Sequence, residues 1–415
     1  MLTVSSSGKC RVCMLVTNDM VSDSRVARHA ETLGRNGFEV IVVCLLTERT
    51  KPRESRRFYN VIRVKSNLLD RGYRVLGKGR TVRSNTVYGT RSVSKRFVGR
   101  VIVYAFRTVR INLQQLALLR AARRTRAHVY CANDLDTLLI TRLAAGLSGR
   151  VVYDSHELWP DMLIGVSESF RHALRSMEGF LIKRVDAIIT VNEYIAAVLA
   201  RRYSVKSQIH VVYNCASTNA SSGRMTPVKR SKGGVKIALY QGGFSEDRGL
   251  ANVVLSAPYL SPDVVLVFRG WGDIEPELRA LASGRRNVRF ARPVGVERVV
   301  EAAARADVGI VPYLPTNLCN YYASPNKFFE YLSAGLPVAA SDIPFMRKVI
   351  TENKVGALFD PSDPRSIADA INQITRKGSL TRCRRNVASA LRKYNWSTET
   401  RKLLRVYTKL CTSFR

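Results

Sequence analysis

The feature that most constrains this sequence is a rhythm. Short apolar runs alternate with longer segments of helical period, and the alternation stops once and restarts. Runs at 11–17, 40–46, 129–132, 151–155, 187–191 and 210–213 read as strands buried on both faces. The segments between them, such as 24–36 closed by Gly37, read as covering helices. From 216 to 234, Ser, Asn, Gly, Lys and Pro dominate and apolar residues nearly vanish, as in a linker. The rhythm resumes with runs at 235–240, 264–269, 288–290, 308–311, 337–340 and 357–359. An α/β chain with two Rossmann-like, doubly wound domains is the expected result. The expected limits are 1–215 for the first domain, with a basic insertion at about 72–126, then a linker at 216–234. A second domain follows at 235–395, and a helix within 396–415. A length of 415 residues suits two domains of this size.

The formal charge of +35 is unevenly spread: residues 71–126 hold fifteen Lys or Arg and no Asp or Glu. Such an excess attracts phosphates, whether in nucleotides, nucleic acid or anionic lipid. No zinc finger, helix-turn-helix or stacking-aromatic signature accompanies it, so no specific nucleic-acid partner is expected. Within 93–126, Phe97, Val101, Ala105, Val109, Leu113 and Leu116 alternate with arginines. That pattern suits a basic amphipathic helix on an anionic membrane surface, or equally a helix packed on the first sheet with an Arg-rich outer face. No apolar run reaches the roughly 18 residues of a membrane span, and no secretory leader is read at the start. A cytoplasmic protein, with peripheral attachment to the membrane face as an option, is the expectation. The eight cysteines read as buried thiols in a reducing compartment. Cys10 and Cys13 form a lone C-x-x-C inside the first strand, without the second pair a zinc site needs.

Chemistry concentrates at 324–335, S-P-N-K-F-F-E-Y-L-S-A-G. Ser324 suits a helix N-cap, Pro325 the first helical position and Gly335 the left-handed position past the end. Phe328, Phe329, Tyr331 and Leu332 make the helix largely apolar, hence buried. Lys327 is the odd residue, because a cation in the first turn opposes the helix dipole. A phosphate at that N-terminus removes the conflict, with Asn326 and the free N–H groups beside it. Glu330 lies three residues on, on the same face, where a carboxylate can accept two hydrogen bonds from a ribose diol. The plainer alternative is a surface ion pair worth about 0.3 kcal/mol.

The stretch S-P-N-K-F-F-E-Y-L-S-A-G-L-P-V-A-A-S resembles the nucleotide-sugar-binding segment of the family 4 glycosyltransferases. The resemblance implies a GT-B fold, in which two Rossmann-like domains face across a cleft and the last helix crosses back to the first domain. It also implies that Glu330 holds the nucleotide ribose and that the helix N-terminus at Ser324 and Asn326, with nearby basic residues, holds the diphosphate. Many members carry a second glutamate eight residues earlier, on the transferred sugar; here that position is Tyr322. Tyr240-Gln241-Gly242-Gly243-Phe244-Ser245-Glu246-Asp247-Arg248-Gly249 resembles the family's G-G-x-x-x-x-R-G loop, which makes Arg248 a phosphate ligand beside Gly242 and Gly243. A basic residue commonly stands where Gly243 is. Arg269-Gly270-Trp271-Gly272-Asp273 resembles the turn beside the nucleotide, and residues 290–293 fall where the family places its base-contacting loop. In the first domain, Asp154-Ser155-His156-Glu157 resembles the family's H-D or H-E motif, whose histidine adjoins the donor sugar. Asn18, Asp23 and Arg25, Asn133 and Asp134, and Glu157 are candidate walls for the acceptor, though Asn and Asp also form turns.

By that resemblance the activity is transfer of a sugar from a UDP- or GDP-sugar to a carbohydrate, lipid-linked or other small acceptor with retention of configuration. The setting would be cell-envelope polysaccharide, glycolipid or glycoconjugate synthesis. No cofactor and no active-site metal are expected; His156, Arg248 and Lys327 would carry catalysis. Two other readings stay open, a basic membrane-surface-binding protein and a non-catalytic homologue.

Overall fold

The computed structural model describes residues 9–65, 113–163, 165–206, 208–216 and 234–412. Linker residues 217–233 and insertion residues 72–112 lie outside them. The described strands form two sheets. The first comprises β1 (Arg11–Leu15), β2 (Glu39–Leu45), β3 (Arg53–Ser55), β4 (Asn60–Val64), β5 (Val129–Asn133), β6 (Arg150–Ser155), β7 (Ala187–Thr190) and β8 (Ile209–Val211), in the order β3-β4-β2-β1-β5-β6-β7-β8. The second comprises β9 (Lys236–Gly243), β10 (Val264–Trp271), β11 (Val288–Ala291), β12 (Val308–Val311), β13 (Val338–Ser341) and β14 (Gly356–Phe359), in the order β11-β10-β9-β12-β13-β14. Every pairing in the second sheet is parallel.

The central strands are apolar runs buried along their length, as parallel strands covered on both faces must be. In the second sheet, Phe328, Phe329, Tyr331 and Leu332 of the helix Asn326–Ser333 pack into the core on one side. Tyr240, Phe244, Phe268 and the helix Pro364–Thr375 fill the other. The strand order reverses direction between β9 and β12. Ligands of doubly wound sheets bind at such a switch, beyond the carboxyl ends of the strands. The turn after β9 and the segment after β12 therefore border the position where a ligand is expected.

Strands β3 and β4 were not evident in the sequence. β3 (Arg-Glu-Ser) has no apolar residue, and β4 is interrupted by Arg63, its fourth residue, which is only 4% exposed. Its guanidinium pairs with Glu54 of β3 at 2.8 Å and donates to the Asp19 and Lys51 carbonyls. A buried, fully paired arginine breaks the apolar pattern without breaking the strand.

By compactness the chain divides into residues 1–154 with 184–187 and 407–415, and residues 155–183 with 188–406. The helix Trp396–Thr412 contributes to both: its last residues, from Tyr407, belong to the first unit. There Tyr407 is fully buried against Phe38, and Cys411 forms a disulfide with Cys10 (Cα–Cα 6.2 Å). Cys10 is therefore not a core thiol. It sits at the rim of β1, one residue before the strand, where the returning helix end can reach it. Cys13 is buried as expected, and burial pushes its thiol up to about 12. No helix among the described residues is long and apolar enough to cross a membrane.

Candidate active site

The second unit assembles the site around the ends of β9 and β10. These strands pair in parallel with Gly270 opposite Gly242 and Trp271 opposite Gly243. A Cβ on Gly270 would lie 1.8 Å from the Gly242 carbonyl oxygen, and one on Gly272 2.0 Å from that of Phe244. Only glycine allows the two strand ends to approach so closely. Gly242 itself has φ +136°, and a Cβ there would stand 3.1 Å from the Lys327 ammonium. The missing side chain is the space the lysine occupies.

Lys327, in the first turn of the helix Asn326–Ser333, projects its Nζ over the Tyr240 ring at 3.9 Å and lies 5.7 Å from that of Tyr313. Arg248, at the end of the short turn Glu246–Arg248, holds its guanidinium 4.0 Å over the Tyr313 ring. Two cations thus share an aromatic floor. Such contacts favour cations, but each is worth only ~0.5–2 kcal/mol. Desolvation, followed by repulsion from Arg248, holds the Lys327 pKa well below the lysine norm; Glu330 and Asp247 oppose the shift. Asp247 lies 3.6 Å from Arg248, but its carboxylate also accepts from Ser245 and Asn320. Burial pushes the Tyr240 and Tyr313 hydroxyls far above their usual range, so they stay neutral. Two cations, opposed by Asp247, Glu330 and Glu157, thus stand at a glycine-lined strand end and a helix N-terminus, whose backbone N–H groups suit an anion.

Ser324 departs from expectation. The helix starts at Asn326 with Pro325 as its cap, and no side chain caps it. The Ser324 hydroxyl is buried, 3.1 Å from the Asn192 amide and 3.4 Å from the Val191 carbonyl oxygen. The Asn192 amide also donates to the Tyr322 carbonyl at 2.8 Å, while its side-chain oxygen caps the helix Glu193–Tyr203. One asparagine thus anchors the chain that enters the helix of Lys327. Tyr322 stacks on Tyr194 with ring centroids 5.9 Å apart and planes 7° apart. Its ring is engaged in packing and offers no carboxylate.

Glu157 is exposed just after β6. Its carboxylate lies 3.7 Å from the Cys319 thiol, and its charge is felt by both Arg248 and Tyr313. His156, half-buried, immediately precedes it after β6. Glu330 is half-buried on the Lys327 helix, and Gly243 has open space where a side chain would project. Phe290 stacks on Phe268 at 5.4 Å under the Arg279 guanidinium, at the edge of the second sheet's core. The sequence did not single out Tyr240, Tyr313, Asn192 or Cys319. All four needed the fold.

In the first unit the expected acceptor residues are held by the protein itself. Asn18 donates to Asp23 at 2.7 Å, and Asp23 caps the helix Ser24–Arg35. Asn133 is buried and donates to the Leu15 carbonyl. Asp134 adopts φ +68° at the start of the helix Leu135–Ala145. Arg25 is only 3% exposed and grips buried Asp154 with both ends of its guanidinium, Nε at 3.1 Å and Nη2 at 2.6 Å. His29 Nδ1 lies 3.3 Å from the same carboxylate. Arg25 is therefore a structural clamp between the first helix and β6, set away from solvent.

Comparison with known proteins agrees with this geometry. Residues 23–220 match the family described as Glycosyltransferase Family 4, and residues 235–377 match Glycosyl transferases group 1. The chain belongs to family 4 of the glycosyltransferases. It is 32% identical over 186 residues to a phosphatidyl-myo-inositol mannosyltransferase of Mycobacterium leprae, 43% of this chain and 48% of that protein. It is 27% identical over 213 residues to TuaH of Bacillus subtilis, a putative teichuronic acid biosynthesis glycosyltransferase, 48% of this chain and 52% of that protein. The chain spans about half the length of the curated relatives it matches. Two solved structures share the fold. Sucrose-phosphate synthase of Thermosynechococcus elongatus has a TM-score of 0.71 at 16% identity, covering 98% of this chain and 100% of that one. HepE of Anabaena, in complex with UDP-glucose, has a TM-score of 0.67 at 13% identity, covering 96% and 99%. The fold is GT-B.

Proposed function

We propose that the protein transfers a sugar from a UDP- or GDP-sugar to a hydroxyl of a carbohydrate or lipid-linked acceptor, with retention at the anomeric carbon. The observation that carries this reading is the Lys327–Arg248 pair on the Tyr240–Tyr313 floor, beside a glycine-lined strand end and a helix N-terminus. A nucleoside diphosphate is the anion that the two cations and the helix N-terminus would hold together. Glu330 would accept from its ribose diol, and the free N–H groups at the start of the helix Asn326–Ser333 would meet a phosphate.

In the reaction the bond from the anomeric carbon to the β-phosphate oxygen breaks while one to the acceptor oxygen forms on the same face. The acceptor proton passes to the departing phosphate. Arg248 and Lys327 stabilise charge as it develops there, which needs no metal. His156 and Glu157 would border the sugar. The mannosyl transfer to phosphatidyl-myo-inositol and the teichuronic acid synthesis named for the relatives favour a cell-envelope acceptor, met at the cytoplasmic membrane face.

Turnover of a panel of UDP-, GDP- and dTDP-sugars, read as nucleoside diphosphate release, tests the reading. One donor should be consumed, with Arg248→Ala and Lys327→Ala each slowing turnover by roughly two orders of magnitude. Unchanged turnover in both variants would sink the donor-site assignment. The stacking of Tyr322 on Tyr194 favours a second reading, a non-catalytic homologue, and donor binding without release would select it.

A further inference from the structure

The first unit carries an apolar stripe that its fold does not use. The helix Leu135–Ala145 buries Leu135, Leu138, Ile140 and Ala144 on its inner side. On its outer side Leu139 and Leu143 are each 46% exposed, and Leu147, just past its end, is 103% exposed. Spacing of four places Leu139 and Leu143 along one face of the helix, and Leu147 follows directly after its capping Gly146. At a solvent-facing helix position leucine buries little apolar surface, and polar residues are the rule there.

Arginines surround the stripe. The neighbouring helix, residues 113–124, exposes Leu116 together with Arg120, Arg123 and Arg124. Arg123 donates to the Leu143 carbonyl at 3.1 Å through Nη2, so its guanidinium is fixed beside the stripe. Arg142 donates to the Gly146 carbonyl at 2.6 Å. Both arginines satisfy carbonyls at the C-terminal end of the leucine helix, where cations are favoured. The one acid within these two helices, Asp136, accepts from the Thr17 hydroxyl at the opposite end.

We propose that this leucine and arginine face is the surface by which the protein lies on anionic lipid. The leucines would enter the boundary between headgroups and acyl chains, and the arginines would meet lipid phosphates. A second copy of the chain is the poorer occupant, since pairing two such faces would bring like charges together with no exposed acid to offset them. The inference deepens the membrane-face part of the proposed function and assigns it to residues outside the 72–112 segment.

The test is flotation of the full chain with vesicles of phosphatidylcholine alone and of phosphatidylcholine with equal parts of phosphatidylglycerol, without donor. The wild-type chain should float with the anionic vesicles and lose binding as salt rises. A triple variant, Leu139→Ser with Leu143→Ser and Leu147→Ser, should lose about tenfold or more in vesicle affinity. Its circular dichroism should stay at the wild-type level, with a melting temperature lowered by only a few degrees, because the three side chains lie outside the core and serine is the poorer helix former. Wild-type flotation by the triple variant overturns the assignment, since binding would then reside elsewhere. So does a wild-type dimer that the triple substitution dissociates without lipid, which identifies a second copy as the occupant. Donor turnover is measured separately, so failure of sugar transfer leaves the flotation result standing.

Discussion

Replacing Lys327 by methionine should move stability and ligand binding in opposite directions. In the free protein the lysine carries a desolvated ammonium beside Arg248, and both effects disfavour its charge. Methionine fills similar space, keeps an attractive sulfur contact with the Tyr240 ring and removes the repulsion. The cation–π attraction lost is ~0.5–2 kcal/mol, and the sulfur contact returns ~0.3–1.5 kcal/mol of it. Relief of desolvation and repulsion then leaves a net gain of about 1 kcal/mol, because exchanging a buried charge for a packed apolar group is often stabilising. For a domain of about 200 residues that gain raises the melting temperature by roughly 2–4 °C. The nucleoside diphosphate loses one of its two cations, which should weaken binding by about two orders of magnitude, or ~2.7 kcal/mol. Thermal unfolding with and without UDP and GDP reads both effects. Wild-type protein should gain about 2.7 kcal/mol from ligand at a hundred times its Kd, and the variant almost nothing at the same concentration. A Lys327→Met protein that melts lower without ligand yet gains the full ligand shift would refute the reasoning.

Three further outcomes follow from named contacts. The lowered Lys327 pKa means that the unfolded chain holds the extra proton between that pKa and 10.5; the penalty is therefore full below the window and fades as pH rises through it. Nucleoside diphosphate binding restores the proton, so calorimetry in buffers of different ionisation enthalpy should show proton uptake, and affinity should fall as pH rises through the same window. Arg25→Ala strips buried Asp154 of its bidentate partner and should cost about 3–5 kcal/mol in urea unfolding; a loss under ~1 kcal/mol would mean that the carboxylate is reached by water. The Cys10–Cys411 disulfide joins residues 401 apart in sequence; Cys10→Ser should lower stability by about 2–4 kcal/mol, as is typical of a disulfide, and non-reducing electrophoresis should show a compact wild-type band that reductant abolishes.

The sequence carried the second half of the molecule further than the first. Strands β9 to β14 each fall within three residues of an apolar run, because strands covered on both faces advertise themselves without interruption. Gly242, Lys327 and Glu330 were legible because each breaks a local rule, a glycine at a strand end or a charge in an apolar helix, and Arg248 through the resemblance of its loop to the family's G-G-x-x-x-x-R-G pattern. The tyrosine floor was not, since Tyr240 and Tyr313 read as ordinary core aromatics until β9 and β12 lie side by side. Ser324 was legible as a helix cap and proved to be tied to Asn192, some 130 residues away, a contact that no local pattern encodes. Arg25 and Arg63 show the converse: polar residues that sequence patterning sends to solvent or to a ligand can be absorbed by buried carboxylates or carbonyls.

The central claim is that a nucleoside diphosphate docks at the start of the helix Asn326–Ser333. An experimental structure of the chain with the nucleoside diphosphate of its preferred donor tests this most directly. The diphosphate should lie within hydrogen-bond distance of both Lys327 Nζ and the Arg248 guanidinium, with the ribose hydroxyls on Glu330. A diphosphate bound elsewhere, with Lys327 still resting on the Tyr240 ring and Arg248 on Tyr313, would contradict it.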